Sequence, residues 1–448
     1  MTRRCFSIVR DVVLSSMATA LLLGSAVTAA QNLGDDGGKI GPYLAGHTSF
    51  IATEDSGRLV AVEIWYPADD NAINRSGAAA VYAMDAYYGK FPQSTSADWE
   101  AMGYDRSYQE PAVSHDRKFP LVMFSSGFTM PAWAYLYAGT RLASHGFIVA
   151  AIQHYSESVW PWDGYDGLAF IAYNRPRDVS FALSELLKRN GTPGDLLHDA
   201  IDIRHIVSSG HSYGGYAALV GVGGDNQVCD SREIVDSGEE LPPEACQPSP
   251  PDPRFSALIT LDASAYVLRF GELARIRVPS LIMGEESFER FGDPYLTFVA
   301  RPHAAISRDT PAVRVDVVDS DHFSFSNECE GVRWLFRQGA ISKEDMDSYY
   351  EPIFCQAVLP FAEGHRIVTK YMVAFLKTVV LHERGQARIL TPMDVLAHEP
   401  NVELYWHERC DAPEGVKPSQ FTYRTDMAGG CAVGDKNPEA FFYRSSRN

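Results

Sequence analysis

The chain has 448 residues, of which 46% are hydrophobic and 21% are charged. This composition is typical of a globular protein and excludes a chain that is disordered or of low complexity throughout. The formal net charge of −18 argues against a nucleic-acid partner, which would require a basic surface, and against adhesion to an anionic membrane.

Residues 1–30 have the features of a secretory signal peptide. Arginines precede an apolar run over residues 12–27, and small residues lead to an expected cleavage after Ala29 or Ala30. The run is about 16 residues long, shorter than the roughly 20 that cross a bilayer, so a cleaved signal is favoured over a membrane anchor. The sequence therefore predicts an exported protein, secreted or periplasmic, with no transmembrane segment after cleavage.

Short apolar strands alternate with amphipathic helices from residue 119 onward. Residues 31–57 are predicted to be a flexible lead, and residues 68–117 to be loop with short elements. Strands are predicted at 59–66, 121–124, 147–152, 203–208, 257–261, 280–284 and 313–318, and helices at 132–144, 177–188 and 366–380. This alternation predicts an α/β fold with a mostly parallel central sheet and helices on both faces.

The cysteines suggest disulfides. Cys5 lies in the predicted signal, which leaves six cysteines, an even number in an oxidising compartment. Six cysteines allow 15 connectivities. Pairing of sequence neighbours closes short loops and is favoured: Cys229–Cys246, Cys329–Cys355 and Cys410–Cys431. The first two pairs bracket segments that interrupt the strand–helix pattern.

The strongest chemical signal is Gly210-His211-Ser212-Tyr213-Gly214, between the strand at 203–208 and a helix-compatible run at 216–220. Strand, sharp turn and helix are the context of a nucleophile elbow, in which small neighbours allow the serine to stand above the sheet. The motif therefore predicts Ser212 as a nucleophile.

A neutral serine needs a base, and in this architecture the chain order is serine, acid, histidine. His322 follows the strand at 313–318 and a short polar turn, which is the place expected for the base. Asp262 ends the strand at 257–261, and Glu285 ends the next one. The residue pattern alone leaves Asp262 and Glu285 open as alternative acids.

An oxyanion hole requires two backbone N–H donors. The residue after the nucleophile, Tyr213, is expected to supply one. The loop Ser125-Ser126-Gly127-Phe128, which follows the strand at 121–124, is expected to supply the other. Neither a CxxC nor an HExxH motif occurs, so no metal and no organic cofactor is expected.

These motifs resemble the platelet-activating-factor acetylhydrolase and dienelactone-hydrolase-like branch of the α/β-hydrolases, over roughly residues 41–381. The matching segments occur in the same order: Gly41-Pro42-Tyr43, Trp65-Tyr66-Pro67, Phe119-Pro120-Leu121-Val122, the run LASHGFIVAA at 142–151, and 210–215. The resemblance implies the α/β-hydrolase fold. It also implies a serine esterase, since the dienelactone hydrolases proper use a cysteine nucleophile.

The resemblance also implies roles for individual residues. Leu261-Asp262-Ala263 matches the acid's context in the acetylhydrolases, which favours Asp262 over Glu285. His322 matches the base, and Phe128 and Tyr213 match the oxyanion donors. One departure lies in the oxyanion loop, where the family has His-Gly and this chain has Ser126-Gly127.

The sequence thus predicts an exported serine ester hydrolase that acts on a small-molecule ester, lipid-like or with a short acyl group, through an acyl-enzyme. An aromatic-rich stretch, Trp160, Trp162, Tyr165 and Phe170, fits either an apolar substrate site or core packing. The alternatives are an amidase or peptidase on the same fold, or a non-catalytic binding protein. The expected organisation is a signal peptide at 1–30, a catalytic domain at 31–385 with insertions at about 222–254 and 327–361, and a C-terminal extension at 386–448 packed on that domain.

Overall fold

The computed structural model describes residues 37–71, 77–84, 91–154, 168–223, 228–230, 241–265, 268–285, 298–299, 301–306 and 310–407. The predicted signal peptide, Cys410–Cys431 and the aromatic residues Trp160, Trp162 and Tyr165 lie outside these ranges. Among the described helices, none is long and apolar enough to cross a membrane.

A ten-stranded sheet forms the centre of the molecule. The strands in chain order are β1 Leu44–Thr53, β2 Leu59–Ala68, β3 Val81–Tyr82, β4 Ser94–Thr95, β5 Ser107–Gln109, β6 Phe119–Ser125, β7 Ile148–His154, β8 Ile201–His211, β9 Ala257–Leu261, β10 Ser280–Glu285, β11 Ala312–Val317 and β12 Val402–His407. Their order in the sheet is β12-β11-β10-β9-β8-β6-β7-β2-β1-β5, while β3 and β4 form a separate pair. From β7 through β11 every neighbouring pair is parallel, and β2 and β12 join antiparallel.

The helices connect these strands. In chain order they are α1 Ser96–Glu100, α2 Leu136–Ser144, α3 Leu168–Asn190, α4 Tyr213–Gly221, α5 Phe270–Leu273, α6 Arg301–Ala305, α7 Glu328–Arg337, α8 Lys343–Asp345, α9 Glu351–Phe354, α10 Phe361–Phe375 and α11 Pro392–His398. Short 3₁₀ segments lie at Ala132–Tyr135, Val228–Asp230, Pro243–Cys246, His322–Phe325 and Arg384–Leu390, and π segments at Met346–Tyr350 and Leu376–Val380.

Apolar side chains of the sheet alternate between two cores, one on each face. In β6, Val122 and Phe124 pack with α2 and α10, whereas Leu121 and Met123 pack with α3 and α4. Successive side chains of a strand point to opposite faces, so a run that is apolar at every position is buried on both sides. The prediction of a mostly parallel sheet covered by helices on both faces is confirmed.

Two local predictions were wrong. Residues 44–53, placed in a flexible lead, form β1, which pairs with β2 along its whole length; its buried stretch contains small and polar residues, so it lacks an apolar pattern. The helix expected to start after Pro176 begins at Leu168 and runs through the proline. Pro176 has no N–H for the Ala172 carbonyl, and the Tyr216 hydroxyl donates to that carbonyl at 3.2 Å instead.

Two disulfides lie in the described ranges, Cys229–Cys246 and Cys329–Cys355. The second disulfide joins Cys329 in α7 to Cys355, the residue that follows α9, and so closes a loop of residues 329–355. Part of the C-terminal extension also belongs to the sheet, because β12 lies along β11.

Candidate active site

Ser212 lies in a strained turn between β8 and α4. Its backbone has φ 55° and ψ −123°, a conformation that L-residues rarely adopt. The turn is tight: a Cβ on Gly214 would lie 2.0 Å from the Ser125 carbonyl oxygen, and a Cβ on Gly210 would lie 2.3 Å from the Gly214 oxygen. Glycine is therefore required at both positions for the elbow to pack against the end of β6.

The predicted base reaches the predicted nucleophile. His322 Nε2 lies 2.8 Å from Ser212 Oγ, and His322 Nδ1 lies 2.5 Å from Asp262 Oδ2. Because the carboxylate can only accept, Nδ1 carries the proton and Nε2 accepts from the serine hydroxyl. The structure thus brings together in one chain of hydrogen bonds three residues that are far apart in sequence.

Asp262 is held at the carboxyl end of β9. Its side chain is 1% exposed and its backbone has φ 45°. Its N–H donates to the Met283 carbonyl at 2.7 Å, and its Oδ1 accepts from the backbone N–H of Glu285 at 3.4 Å. The neighbouring strand β10 therefore helps to orient the carboxylate.

Glu285, the alternative acid, is buried at the end of β10. Ligand-type atoms of Asp262, Glu285 and His322 lie within 4.8 Å of one another, a grouping that could hold a cation. Both ring nitrogens of His322 already bond Asp262 and Ser212. A cation bound through His322 would have to displace one of these two partners, so the arrangement fits a hydrogen-bonded acid–base set better than a metal centre.

His211, the residue before the nucleophile, connects two loops of the site. Its Nε2 lies 2.9 Å from the His322 carbonyl oxygen, and its Nδ1 lies 3.0 Å from the Tyr135 hydroxyl. The carbonyl can only accept, so Nε2 carries the proton and Nδ1 accepts from Tyr135. Burial holds the pKa of His211 well below its usual range, so its ring is neutral. His211 therefore ties the elbow to the loop that carries the base.

The loop that carries the base is fixed from two sides. Asp321 caps the turn by accepting from the Ser324 N–H at 2.8 Å, and also accepts from the Gln356 N–H at 3.1 Å. Phe323 packs edge-to-face on Phe354 with centroids 4.7 Å apart. Gln356 and Phe354 flank Cys355, so the segment closed by Cys329–Cys355 packs directly against the base loop.

The two predicted oxyanion donors belong to the start of α4 and to the loop that follows β6. Tyr213 is the first residue of α4, where helix N–H groups have no partner within the helix and the helix dipole favours negative charge. Phe128 follows the end of β6 in the loop 125–128. The rings of Phe128 and Tyr213 are in edge contact, with centroids 6.4 Å apart.

Sequence reasoning missed two side chains beneath this loop. The buried Arg175 donates to the carbonyls of Ser126 and Gly127, and the Tyr135 hydroxyl accepts from the Gly127 N–H at 2.7 Å. One signal was present: Arg175 lies between Ala172 and Val179 at helical spacing, on the apolar face of its helix. A charged residue on such a face needs a buried partner.

The strand order and the contacts among Ser212, His322 and Asp262 match the α/β-hydrolase fold. A family model described as platelet-activating factor acetylhydrolase, isoform II, matches residues 38–161. The curated platelet-activating factor acetylhydrolase of Cavia porcellus is 28% identical over 130 residues, which are 26% of this chain and 28% of that relative. The chain thus matches somewhat more than a quarter of the length of this relative, and the predicted resemblance to the branch is confirmed over that part.

Solved structures agree on the fold. The ferulic acid esterase from Streptomyces cinnamoneus superposes with a TM-score of 0.50 and 20% identity, over 75% of this chain and 89% of that chain. At this identity the likeness concerns the fold. It extends the α/β-hydrolase architecture well beyond residues 38–161.

Proposed function

We propose that this protein is a serine ester hydrolase in which Ser212 is the nucleophile, His322 the general base and Asp262 the acid that orients it. The observation that carries the proposal is the position of His322, whose two ring nitrogens lie 2.8 Å from Ser212 Oγ and 2.5 Å from Asp262 Oδ2. A hydroxyl at neutral pH is a weak nucleophile, and a base within hydrogen-bonding distance activates it.

The reaction proceeds in two stages. As Ser212 Oγ attacks the ester carbonyl, its proton passes to His322 Nε2, and the imidazolium is stabilised by Asp262. The backbone N–H groups of Phe128 and Tyr213 donate hydrogen bonds to the carbonyl oxygen as negative charge develops on it. The alcohol leaves with the proton from His322. A water molecule, deprotonated by the same base, then attacks the acyl-enzyme, and His322 returns that proton to Ser212 Oγ as the acid is released.

The substrate is proposed from the comparisons. The Cavia porcellus relative is named as an acetylhydrolase, which supports hydrolysis of an ester with a short acyl group, and a lipid-like alcohol part is consistent with the relative's name. The same name favours an ester over the amide of the runner-up, an amidase or peptidase. No cofactor is required, because the triad and backbone donors supply every proton transfer and charge contact of the scheme.

Export to an oxidising compartment, secreted or periplasmic, belongs to the same proposal. The two disulfides of the described ranges support it, since such bonds persist outside the reducing cytosol. We further propose that residues 31–385 form the catalytic domain and that the C-terminal extension, residues 386–448, packs on it. N-terminal sequencing of the exported protein, with a start at Gln31 or Ala30 expected, tests the signal cleavage; an intact Met1 in that protein would contradict it.

The decisive experiment is labelling with a fluorophosphonate probe followed by peptide mapping. We expect one modified peptide, containing Ser212, and no labelling of Ser212→Ala. Paired ester and amide substrates with the same acyl group then separate esterase from amidase. A folded protein that never labels and hydrolyses neither substrate would favour a non-catalytic binding protein.

A further inference from the structure

The loop 125–128 is held from beneath by one turn of α3. The Arg175 side chain, 1% exposed, places Nη1 2.5 Å from the Ser126 carbonyl oxygen and Nη2 2.9 Å from the Gly127 carbonyl oxygen. Its guanidinium also lies 5.5 Å from the ring centroid of Tyr213. One buried cation therefore contacts the loop of the first oxyanion donor and the side chain of the second.

The hydrogen bond from Arg175 to the Gly127 carbonyl also orients the N–H of the next residue, Phe128. The carbonyl of Gly127 and the N–H of Phe128 belong to the same planar peptide group, in which the C=O and N–H bonds point in opposite directions. A donor that holds the oxygen on one side therefore directs the N–H to the other. A cation at the oxygen also draws electron density from the amide and makes its N–H a stronger donor, as in any polarised chain of hydrogen bonds.

The preceding peptide is held at both ends. Arg175 donates to the Ser126 carbonyl, and the Gly127 N–H of the same peptide donates to Tyr135. The next peptide could rotate about the Gly127 backbone, and the Met130 N–H already limits this by donating to the Gly127 carbonyl at 3.1 Å. The second bond of Arg175 restrains that rotation.

The same turn of α3 is anchored by a second buried network. Asp178 Oδ1 forms an ion pair with Arg58 Nε at 2.8 Å, Asp178 Oδ2 lies 2.8 Å from His154 Nδ1, and His154 Nε2 lies 2.8 Å from Ser125 Oγ. Ser125, His154 and Asp178 form a serine–histidine–aspartate chain of hydrogen bonds like that of a catalytic triad, but each residue is at most 1% exposed. They have no room for a substrate and serve to fix the end of β6.

We propose that Arg175 is a positioning residue that orients and polarises the 127–128 peptide, so that the Phe128 N–H meets the oxyanion of the transition state. This inference rests on the proposed function. Arg175 should affect mainly the transition state, in which negative charge develops on the carbonyl oxygen, because the neutral ester is a weaker hydrogen-bond acceptor. Loss of Arg175 should therefore lower kcat and leave KM nearly unchanged.

The test compares Arg175→Met and Arg175→Lys with Arg177→Met as control. Arg177 lies two positions away on the exposed side of α3, where its guanidinium contacts Tyr173. For an acetyl ester we expect kcat to fall about 10- to 100-fold in Arg175→Met, less than the 10²–10³-fold cost of removing a donor entirely. Lysine keeps the positive charge but lacks the planar pair of donors that reaches both carbonyls, so the kcat of Arg175→Lys should be intermediate. The kcat of Arg177→Met should match that of the wild type.

A pair of inhibitors distinguishes positioning from a general structural defect. A trifluoromethyl ketone adds to Ser212 and places an oxyanion in the hole, whereas the product alcohol binds without one. In the Arg175 variants the affinity for the ketone should fall by the same factor as kcat/KM, with product affinity unchanged. If Arg175→Met does not fold, the comparison is made with Arg175→Lys.

Equal losses of affinity for both inhibitors, or a rise in KM at constant kcat, would overturn the inference. Inactivity of the wild type, or full activity of Ser212→Ala, would overturn the proposed function instead.

Discussion

The imidazole of His322 donates a hydrogen bond to the carboxylate of Asp262 across 2.5 Å, although the two residues are 60 positions apart in the chain. β9 and β11 are separated by β10 in the sheet, so the contact is made above the end of the intervening strand. Glu285 ends that strand and donates its backbone N–H to the same carboxylate. The alternative acid thus supports Asp262 through its main chain.

This arrangement predicts unequal effects for the two acids. Asp262→Asn should reduce kcat by about 10⁴-fold, because an amide can stabilise the wrong tautomer of His322. Glu285→Gln keeps the backbone N–H and should cause a much smaller loss. Steady-state kinetics of both variants on one ester checks the assignment, and a larger loss for Glu285→Gln would reverse it.

Replacement of the nucleophile should abolish turnover without unfolding the protein. Ser212→Ala removes only a hydroxyl at the elbow, and the loss should be on the order of 10³-fold or more. Ser209→Ala, in the strand that leads to the elbow, is a matched control, since among the described residues the buried Ser209 hydroxyl has no hydrogen-bond partner. Esterase activity close to that of the wild type in Ser212→Ala would refute the mechanism.

The two disulfides should differ in their effect on activity. They close segments with sequence separations of 17 and 26, and each should contribute about 3 kcal/mol to the free energy of unfolding. Replacement of Cys329 and Cys355 by alanine should also lower kcat, because their segment packs on the base loop through Phe354 and Gln356. The Cys229→Ala/Cys246→Ala variant is the control, with a lower Tm and a normal kcat expected. Equal kcat values in both double variants would show that the base loop does not depend on Cys329–Cys355.

The buried His365 should make the protein sensitive to acid. Burial lowers the pKa of His365 to about 3 from its usual value of 6.5, so between these pH values the unfolded chain binds a proton that the folded chain does not. The contribution to stability is present above pH 6.5 and is lost as the pH falls towards 3, at about 1.4 kcal/mol per pH unit.

Urea unfolding between pH 7 and pH 4 measures this dependence. His365→Gln retains a side-chain donor for the Ser326 carbonyl, which His365 contacts at 2.9 Å. In this variant the slope of the free energy of unfolding against pH should correspond to about one proton fewer taken up on unfolding. An unchanged slope would mean that His365 takes up its proton without unfolding.

The local parts of the site were predictable from sequence, and the long-range parts were not. The elbow was predictable because strand, turn and helix are contiguous around Ser212. The choice between Asp262 and Glu285 was not decided by the residue pattern, because each ends one of two neighbouring strands at the same edge of the sheet. That choice came from the family resemblance, and the hydrogen bond to His322 agrees with it.

Arg175 shows why the remainder was missed. Its partners, the carbonyls of Ser126 and Gly127, lie 49 and 48 positions earlier in the chain, and a backbone carbonyl has no signature in the sequence. The course of α3 through Pro176 was missed for the same reason, since the donor that compensates for the proline, Tyr216, lies on another helix.

The pairing of β12 with β11 makes the C-terminal extension a protective cover. β11 is almost entirely buried, and without β12 it would present a row of unpaired peptide groups at the rim of the sheet. Such a rim templates the addition of strands from other molecules, and charged side chains on the outermost strand discourage this. β12 carries Glu403 at that position in the sheet. A chain shortened to residue 385 would therefore be expected to self-associate through β11. The solubility of the protein would then depend on β12, a strand that carries none of the proposed catalytic residues.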